Sequence, residues 1–135
     1  MCTIADNNKL IAEFIGYPSK SIDSIEATLI ENSYHWYSGR KKFYYISGDY
    51  HAEDYLLFHL DWNWLMSVVD RIESMSYAKG RRYYLSVDKS HVQIRIDRMN
   101  YQPYSKWGLS NDKLKATYKA VIEFINFYNR QQNEN

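Results

Sequence analysis

The spacing of apolar residues changes along the chain, and this change constrains the fold more than any other feature. Apolar residues recur at helical spacing over residues 6–16, 62–78 and 111–130. Over residues 81–87 and 91–97 they alternate with polar residues instead. A period near 3.6 indicates a helix with one buried stripe, whereas a period of two indicates a strand with one buried face. The chain is therefore predicted to combine three amphipathic helices with strands.

The start of the second helix carries two local signals. Asp61 can accept hydrogen bonds from the first free amides of the helix. Leu60, just before it, can contact Leu65 as a hydrophobic staple. The pattern predicts that this helix ends between Ser76 and Gly80, since Gly80 is the first glycine after the apolar face.

The first and third helices carry similar signals. Asp6 is the predicted cap of the first helix, and a capping box between Thr3 and Asp6 is the weaker alternative. Gly16 marks the end of this helix. Ser110 is the predicted cap of the third helix, with Asp112 in the first turn, where a negative charge suits the helix dipole.

Short apolar runs supply the strands. Residues 81–87 and 91–97 are predicted to form a hairpin, and residues 42–47 and 55–60 two further strands. Residues 24–36 are predicted as a strand, although a helix also fits their spacing. One apolar and one polar face suit an antiparallel sheet. The predicted class is α+β, with a mainly antiparallel sheet of about four or five strands covered by helices.

Length and composition fit one folded domain. The chain has 135 residues, of which 45% are hydrophobic and 24% charged, so residues 1–135 are predicted to form a single domain. The polar tail, residues 131–135, is expected to fray. Cys2 is the one cysteine, which fits a reducing compartment. With no long apolar run and no secretory pattern at the N-terminus, the sequence predicts a soluble intracellular protein.

Charge and glycine content argue against several functions. The 17 basic side chains face 16 acidic ones, and a net charge of +1 argues against a nucleic-acid binder driven by bulk positive charge. With 5 glycines, neither a phosphate-binding loop nor a dinucleotide-binding fingerprint can be written. No catalytic set, metal site or cofactor is predicted.

Three segments carry a family resemblance. They are NKLIAEFIGY at residues 8–17, WNWLMSVVDRIE at residues 62–73 and KATYKAVIEFI at residues 115–125. Together they resemble the phage ABA-sandwich domain family, small proteins of unassigned function carried by phages and prophages, notably of gut Bacteroides and relatives. The segments cover a quarter of the chain, in the order and spacing of the family. The family often has proline at the position of Ser67, which is a departure here.

The resemblance implies an α-β-α sandwich and a bacterial host cytoplasm. It implies no catalytic residues, because the family supplies none to transfer.

A glycine, basic residues and an aromatic run occur together twice, in residues 39–47 and 80–86. Two such strands side by side would combine stacking rings with positive charge, as single-stranded nucleic-acid binders do. The alternative is that the basic residues stay solvated while the aromatic residues fill the core. The candidate residues are Arg40, Lys41, Lys42, Tyr44, Arg81, Arg82 and Tyr84.

Trp62 and Trp64 flank the start of the second helix. Positions two apart on a helix diverge by about 200°, so one ring is predicted to pack in the core and the other to lie near the surface. Tryptophan is enriched in interface hot spots, so the functional interpretation is a partner-binding anchor. The structural interpretation is that both rings are packing residues.

Two histidines are candidate acid–base groups. His51 lies among three carboxylates in residues 49–54, and His59 lies two residues before Asp61. The alternatives are a solvated acidic loop around His51 and a capping role for Asp61. Because no serine or cysteine nucleophile motif accompanies either histidine, a small hydrolase around His51 or His59 is the least favoured function.

The sequence therefore favours a non-enzymatic phage or prophage accessory protein that binds another macromolecule or self-assembles. The expected partner is an unidentified protein or a second copy of the chain, with no membrane partner. Single-stranded nucleic-acid binding is the alternative function. Trp62 and Trp64 join the basic and aromatic residues as candidate binding residues.

Overall fold

The computed structural model describes residues 3–22, 41–78, 80–88, 91–96, 108–109 and 112–133. The chain divides into two compact units, Met1–Leu56 and Leu57–Asn135. That residues 1–135 form a single domain stays a prediction. The helices are α1 (Ile4–Ile15), α2 (Trp62–Glu73) and α3 (Lys113–Asn133). The strands are β1 (Ser19–Ile22), β2 (Lys41–Ile46), β3 (Asp49–Ala52), β4 (Ser76–Ala78), β5 (Arg81–Asp88), β6 (His91–Ile96) and β7 (Gly108–Leu109).

The cap of α1 is Thr3, so the prediction of Asp6 as the cap is wrong. The Thr3 hydroxyl accepts a hydrogen bond from the Asp6 amide at 3.1 Å, and the Asp6 carboxylate accepts one from the Thr3 amide at 3.1 Å. This reciprocal capping box is the alternative that the sequence had offered. The bonds from Thr3 lower the pKa of the Asp6 carboxyl. Gly16 ends the helix as predicted, with φ of 85° and its amide bonded to Ala12.

The first unit holds an antiparallel sheet in the order β1-β2-β3. Ser47 and Gly48 join β2 to β3 with φ values of 56° and 85°. Two consecutive residues with positive φ make the tight hairpin turn whose twist matches that of the flanking strands. Phe43, Tyr44 and Ile46 of β2 are all buried, so both faces of this strand are covered.

The segment after β3 is not the strand predicted for residues 55–60. Glu53–Tyr55 forms a single 3-10 turn, and residues 58–60 form a further turn. The buried Asn8 side chain of α1 donates a 3.0 Å hydrogen bond to the Leu56 carbonyl, which links α1 to this segment. An irregular backbone needs such partners, because its own residues do not form a ladder.

The second unit holds a sheet in the order β4-β5-β6-β7 and two helices. α2 ends at Glu73, so the prediction that it extends to residue 78 is wrong. The Ser74 hydroxyl donates to the Arg71 carbonyl at 2.6 Å, and Ser76–Ala78 pairs with Arg81 and Arg82 as β4. Pairing with β5 supplies the backbone partners that a longer helix would have provided.

The predicted hairpin is confirmed as β5 and β6, and the apolar residues of the two strands lie opposite one another. Tyr83 lies opposite Ile96, Leu85 opposite Ile94 and Val87 opposite Val92. The β6 residues of this face are buried, and the Tyr83 ring meets Phe124 of α3 edge-on at 4.6 Å. Val87 is 51% exposed, so the core ends before the tip of the hairpin.

The cap of α3 is Asp112, two residues after the predicted cap, Ser110. Its carboxylate accepts hydrogen bonds from the Leu114 and Lys115 amides at 2.9 and 3.3 Å. Residues 131–133, predicted as part of a frayed tail, are helical and exposed. The predicted apolar stripe of this helix is buried at Tyr118, Val121, Ile122 and Ile125 and half-buried at Leu114 and Tyr128.

The described chain is thus an α+β protein with three helices and two antiparallel sheets. Two sequence predictions lie outside the described residues, namely the strand at 24–36 and the cap at Ser110.

Candidate interaction surface

Tyr44 is not available as a stacking platform, which corrects its assignment as a binding residue. Its side chain is 1% exposed, because it lies on a strand that is covered on both faces. The phenol donates a 2.6 Å hydrogen bond to Glu13 Oε1 of α1. Burial, followed by the bond to Glu13, raises the pKa of the Tyr44 phenol far above its ordinary value.

Lys42 also belongs to this contact. Its Nζ atom lies 2.8 Å from Glu13 Oε1 and 5.4 Å from the centre of the Tyr44 ring. The hydrogen bonds from Lys42 and Tyr44 lower the pKa of Glu13. The Lys42 charge is therefore paired inside its own unit. Arg40 and the Lys41 side chain lie outside the described residues.

The two basic and aromatic strands belong to different sheets. The neighbours of β2 are β1 and β3, whereas those of β5 are β4 and β6. The two strands are therefore not paired side by side, a question that the sequence had left open. Both segments form strands because their sequences are similar, but their similarity does not determine which other strands they pair with.

On β5, the candidate residues Arg81 and Arg82 are exposed, and Tyr84 is 39% exposed. Tyr84 is paired across the hairpin with Arg95, whose Nε atom donates to the Tyr84 hydroxyl at 3.2 Å. The β5 residues of the predicted binding set are thus at the surface.

The two histidines are half-buried and lie in different units. His51 is in β3, opposite Tyr44, and not in a loop. The His59 ring lies 6.1 Å from that of Tyr118, and burial lowers its pKa. Asp61 caps α2 as predicted, accepting from the Asn63 and Trp64 amides at 2.8 and 3.3 Å.

The segment from Leu57 to Trp62, which we call the Leu57–Trp62 turn, is held by backbone hydrogen bonds. The amides of Leu60 and Asp61 both donate to the Leu57 carbonyl, at 3.0 and 2.9 Å. The Leu65 amide then donates to the Asp61 carbonyl at 3.0 Å, which begins α2. The turn therefore runs into the helix without a flexible linker.

Three large apolar side chains of this turn face solvent. Leu57 is 36%, Leu60 65% and Trp62 42% exposed. The predicted staple of Leu60 on Leu65 gains no support, because Leu65 is fully buried while Leu60 has the highest exposure among the large apolar residues that the structure describes. The Cα atoms of residues two apart in the chain lie within about 7 Å, so the exposed Leu60 and Trp62 are close neighbours along the backbone.

Two aromatic residues anchor the turn from inside. Phe58 is fully buried, and its ring meets the half-buried Trp64 edge-on at 5.1 Å. The two tryptophans thus separate as their spacing predicted, Trp64 inward and Trp62 outward. Sequence reasoning missed Leu57 and misassigned Leu60. Leu57 and Leu60 are three residues apart, a spacing that could have indicated a shared face in a turn. The prediction of a strand at residues 55–60 excluded that interpretation.

Comparisons with protein-family models, curated proteins and solved structures find no match to the chain. Among the described residues, no helix is long and apolar enough to cross a membrane. The same residues contain no group of three or more His, Cys, Asp or Glu side chains able to hold a metal ion.

Proposed function

We propose that this protein acts without catalysis, by binding another protein through the exposed side of the Leu57–Trp62 turn. The observation that carries the proposal is that Leu60, 65% exposed, and Trp62, 42% exposed, are two residues apart on a hydrogen-bonded turn. Scattered single apolar residues need no explanation, but exposed apolar residues close together, one of them a tryptophan, are typical of an interface.

The energetics favour binding at this turn. Removing a leucine or larger apolar side chain from water contributes about 1.5–3 kcal/mol for full burial. A partner that covered Leu60 and Trp62 would gain part of this for each. The turn is already ordered by its backbone bonds and by Phe58, so little conformational entropy is lost on binding.

We further propose that the chain is a phage or prophage accessory protein of the ABA-sandwich type, acting in a bacterial host cytoplasm. The position of the three resembling segments supports this, since residues 62–73 coincide with α2 and residues 115–125 lie within α3. Residues 8–17 cover most of α1 and its glycine cap. A single α-β-α sandwich with a sheet of about four or five strands is part of this proposal.

A capture experiment tests the binding surface. The tagged full chain, Leu60→Ser, Trp62→Ala and Val87→Thr are compared as baits in lysate of phage-infected bacterial host cells. Val87 is the control, because it is 51% exposed and apolar but lies on β5. A protein retained by the wild type and Val87→Thr, and lost with the other two, is the expected result.

The captured protein is then purified and titrated against the same variants. We expect Leu60→Ser and Trp62→Ala each to weaken binding at least about tenfold, as truncation of a hot-spot side chain does. Equal retention of the captured protein by all four baits would contradict the proposal.

A second copy of the chain is the other candidate partner. Light scattering at high protein concentration distinguishes it. A dimer in the wild type that becomes a monomer with Leu60→Ser would assign the turn to self-assembly, whereas a monomer in both leaves the turn to a different protein.

The nucleic-acid alternative cannot rest on two adjacent basic strands, because β2 and β5 belong to separate sheets. A narrower form of this alternative remains, in which the outer face of the β5–β6 hairpin alone binds nucleic acid.

A further inference from the structure

The outer face of the β5–β6 hairpin carries two arginines around one tyrosine. Arg82 and Tyr84 are two residues apart on β5, so they share a face, and Tyr84 is directly opposite Arg95 of β6. Diagonal neighbours on one face of such a pair are about 7–8 Å apart. Arg82 and Arg95 therefore flank the Tyr84 ring within reach of a single extended ligand.

Arg95 is held in place by neutral oxygen atoms. Its Nε atom donates to the Tyr84 hydroxyl at 3.2 Å, and Nη1 donates to Gln93 Oε1 at 3.1 Å. Gln93 is only 6% exposed, so its side chain is itself fixed. A guanidinium has five N–H donors in a rigid fork, and two of them are used here. The others remain for a ligand.

The charge of this face is not neutralised within the described part of the chain. There, the ion pairs join Lys9 to Asp6 and Lys42 to Glu13, and neither Arg82 nor Arg95 has a carboxylate within 4 Å. An arginine without a carboxylate partner keeps its full attraction for an anion, and its planar fork suits phosphate.

An open pocket of about 320 Å³ adjoins the face, lined by Glu73, Arg82, Tyr83 and Tyr84. Glu73 is the one carboxylate among them, and its Oε2 atom accepts the Leu85 amide at 2.9 Å. A strand amide points along the sheet and not out of its face, so the Glu73 carboxylate lies at the edge of β5. An anion is therefore expected on the Arg95 side of Tyr84.

We infer that this face binds single-stranded nucleic acid, with Arg82 and Arg95 on phosphate oxygens and a base against the Tyr84 ring. The exposed ring, 39% accessible, favours this ligand over an acidic peptide, which has no base to stack. The site is separate from the Leu57–Trp62 turn and does not depend on the protein-binding proposal.

Fluorescence anisotropy with a labelled oligothymidine of about 12 nucleotides tests the inference at low salt. We expect Arg82→Gln and Arg95→Gln each to reduce the salt slope of log K by about 0.7, the value for one phosphate contact of a single strand. Tyr84→Leu is expected to weaken binding about tenfold without changing that slope. Glu73→Gln is expected to tighten binding, because it removes a nearby negative charge and keeps an acceptor for Leu85.

Arg71→Gln is the matched control, since Arg71 is an exposed arginine of α2 and does not belong to the β5–β6 hairpin. Thermal melts of every variant confirm folding, and Leu60→Ser should leave oligonucleotide binding unchanged. The inference is overturned if the wild type does not bind at low salt or if Arg71→Gln weakens binding as much as Arg82→Gln. Equal binding of a poly-glutamate peptide, or displacement by inorganic phosphate at constant ionic strength, would overturn it as well.

Discussion

The Tyr44 phenol donates a 2.6 Å hydrogen bond to the carboxylate of Glu13, and this bond ties the middle strand of the first sheet to α1. Lys42 reaches the same carboxylate oxygen at 2.8 Å. Residues that resemble a nucleic-acid motif in the sequence thus hold two elements of one unit together.

Replacing Tyr44 with phenylalanine removes the hydroxyl and keeps the buried ring. We expect Tyr44→Phe to lower the free energy of unfolding by about 1 kcal/mol, the usual net value of a hydrogen bond, since the Glu13 side chain stays partly hydrated. Urea denaturation measures the change. Tyr45→Phe is the control, because Tyr45 is 42% exposed, and a loss as large as that of Tyr44→Phe would contradict the assignment.

The same contact predicts a pH dependence. Lys42 and Tyr44 lower the pKa of Glu13 in the folded protein below its ordinary value of 4.5. A lowered carboxyl pKa contributes stability that is fully present above the unfolded value and is lost as pH falls through the folded value. Urea midpoints measured from pH 6 downward should therefore fall less in Glu13→Gln than in the wild type below about pH 4.5. Parallel curves would show that Glu13 is not coupled to folding.

Asp61 caps α2 and continues the Leu57–Trp62 turn. Asp61→Ala should cost about 1 kcal/mol of unfolding free energy, because the Asn63 and Trp64 amides lose their acceptor. Asp70→Ala, at an exposed site within the same helix, is the control and should be neutral or slightly stabilising. A thermal melt distinguishes the two, and equal melting temperatures would exclude the cap.

Gly16 ends α1 with φ of 85°, and within the described part of the chain no atom outside its immediate neighbours lies within 4 Å of where a Cβ would be. Gly16→Ala therefore meets no clash there, and its cost arises from the left-handed backbone alone. We expect a loss of about 1 kcal/mol in chemical denaturation. Gly16→Asn should lose less, since asparagine tolerates this conformation better, and the reverse order would be inconsistent with a left-handed cap.

Leu60 and Leu65 were predicted to form a staple, but Leu60 is 65% exposed whereas Leu65 is fully buried. Leu60→Ser is expected to change the free energy of unfolding by less than about 0.5 kcal/mol, as at other surface sites. Leu65→Ala should cost about 2–5 kcal/mol, because Leu65 is fully buried. A large loss for Leu60→Ser in urea denaturation would restore the staple and weaken the case for a binding surface.

Local sequence signals predicted the described elements where a short-range interaction decides the backbone. The Asp61 cap, the Gly16 stop and the β5–β6 hairpin depend on residues close in the chain. The end of α2 was mispredicted, because it depends on the pairing of Ser76–Ala78 with β5. No local pattern reports whether a later strand will compete for those backbone groups.

The residues of the candidate sites were likewise predicted only in part from the sequence. Arg82 and Tyr84 were named from the sequence as binding residues, whereas Arg95 and Gln93 were not. The folded hairpin places Arg95 directly opposite Tyr84, and Gln93 accepts a hydrogen bond from Arg95. Tyr44 was named as a binding residue, but its side chain is buried. The sequence of a single strand does not show whether both of its faces are covered by other elements. Leu57 and Leu60 were recognised as surface residues only in the folded chain, where residues 55–60 do not form the predicted strand.

The helices, the strands of the hairpin and the α+β class could be predicted from the amino-acid sequence, because helical caps, turns and apolar periodicity act over a few residues. Which strands pair, which tyrosines are buried and which apolar side chains stay in water became known from the folded chain. Those outcomes depend on contacts between residues far apart in the sequence, such as Tyr44 with Glu13 and Tyr83 with Phe124. How far a side chain is buried depends on the residues that pack against it, and the fold determines which residues those are.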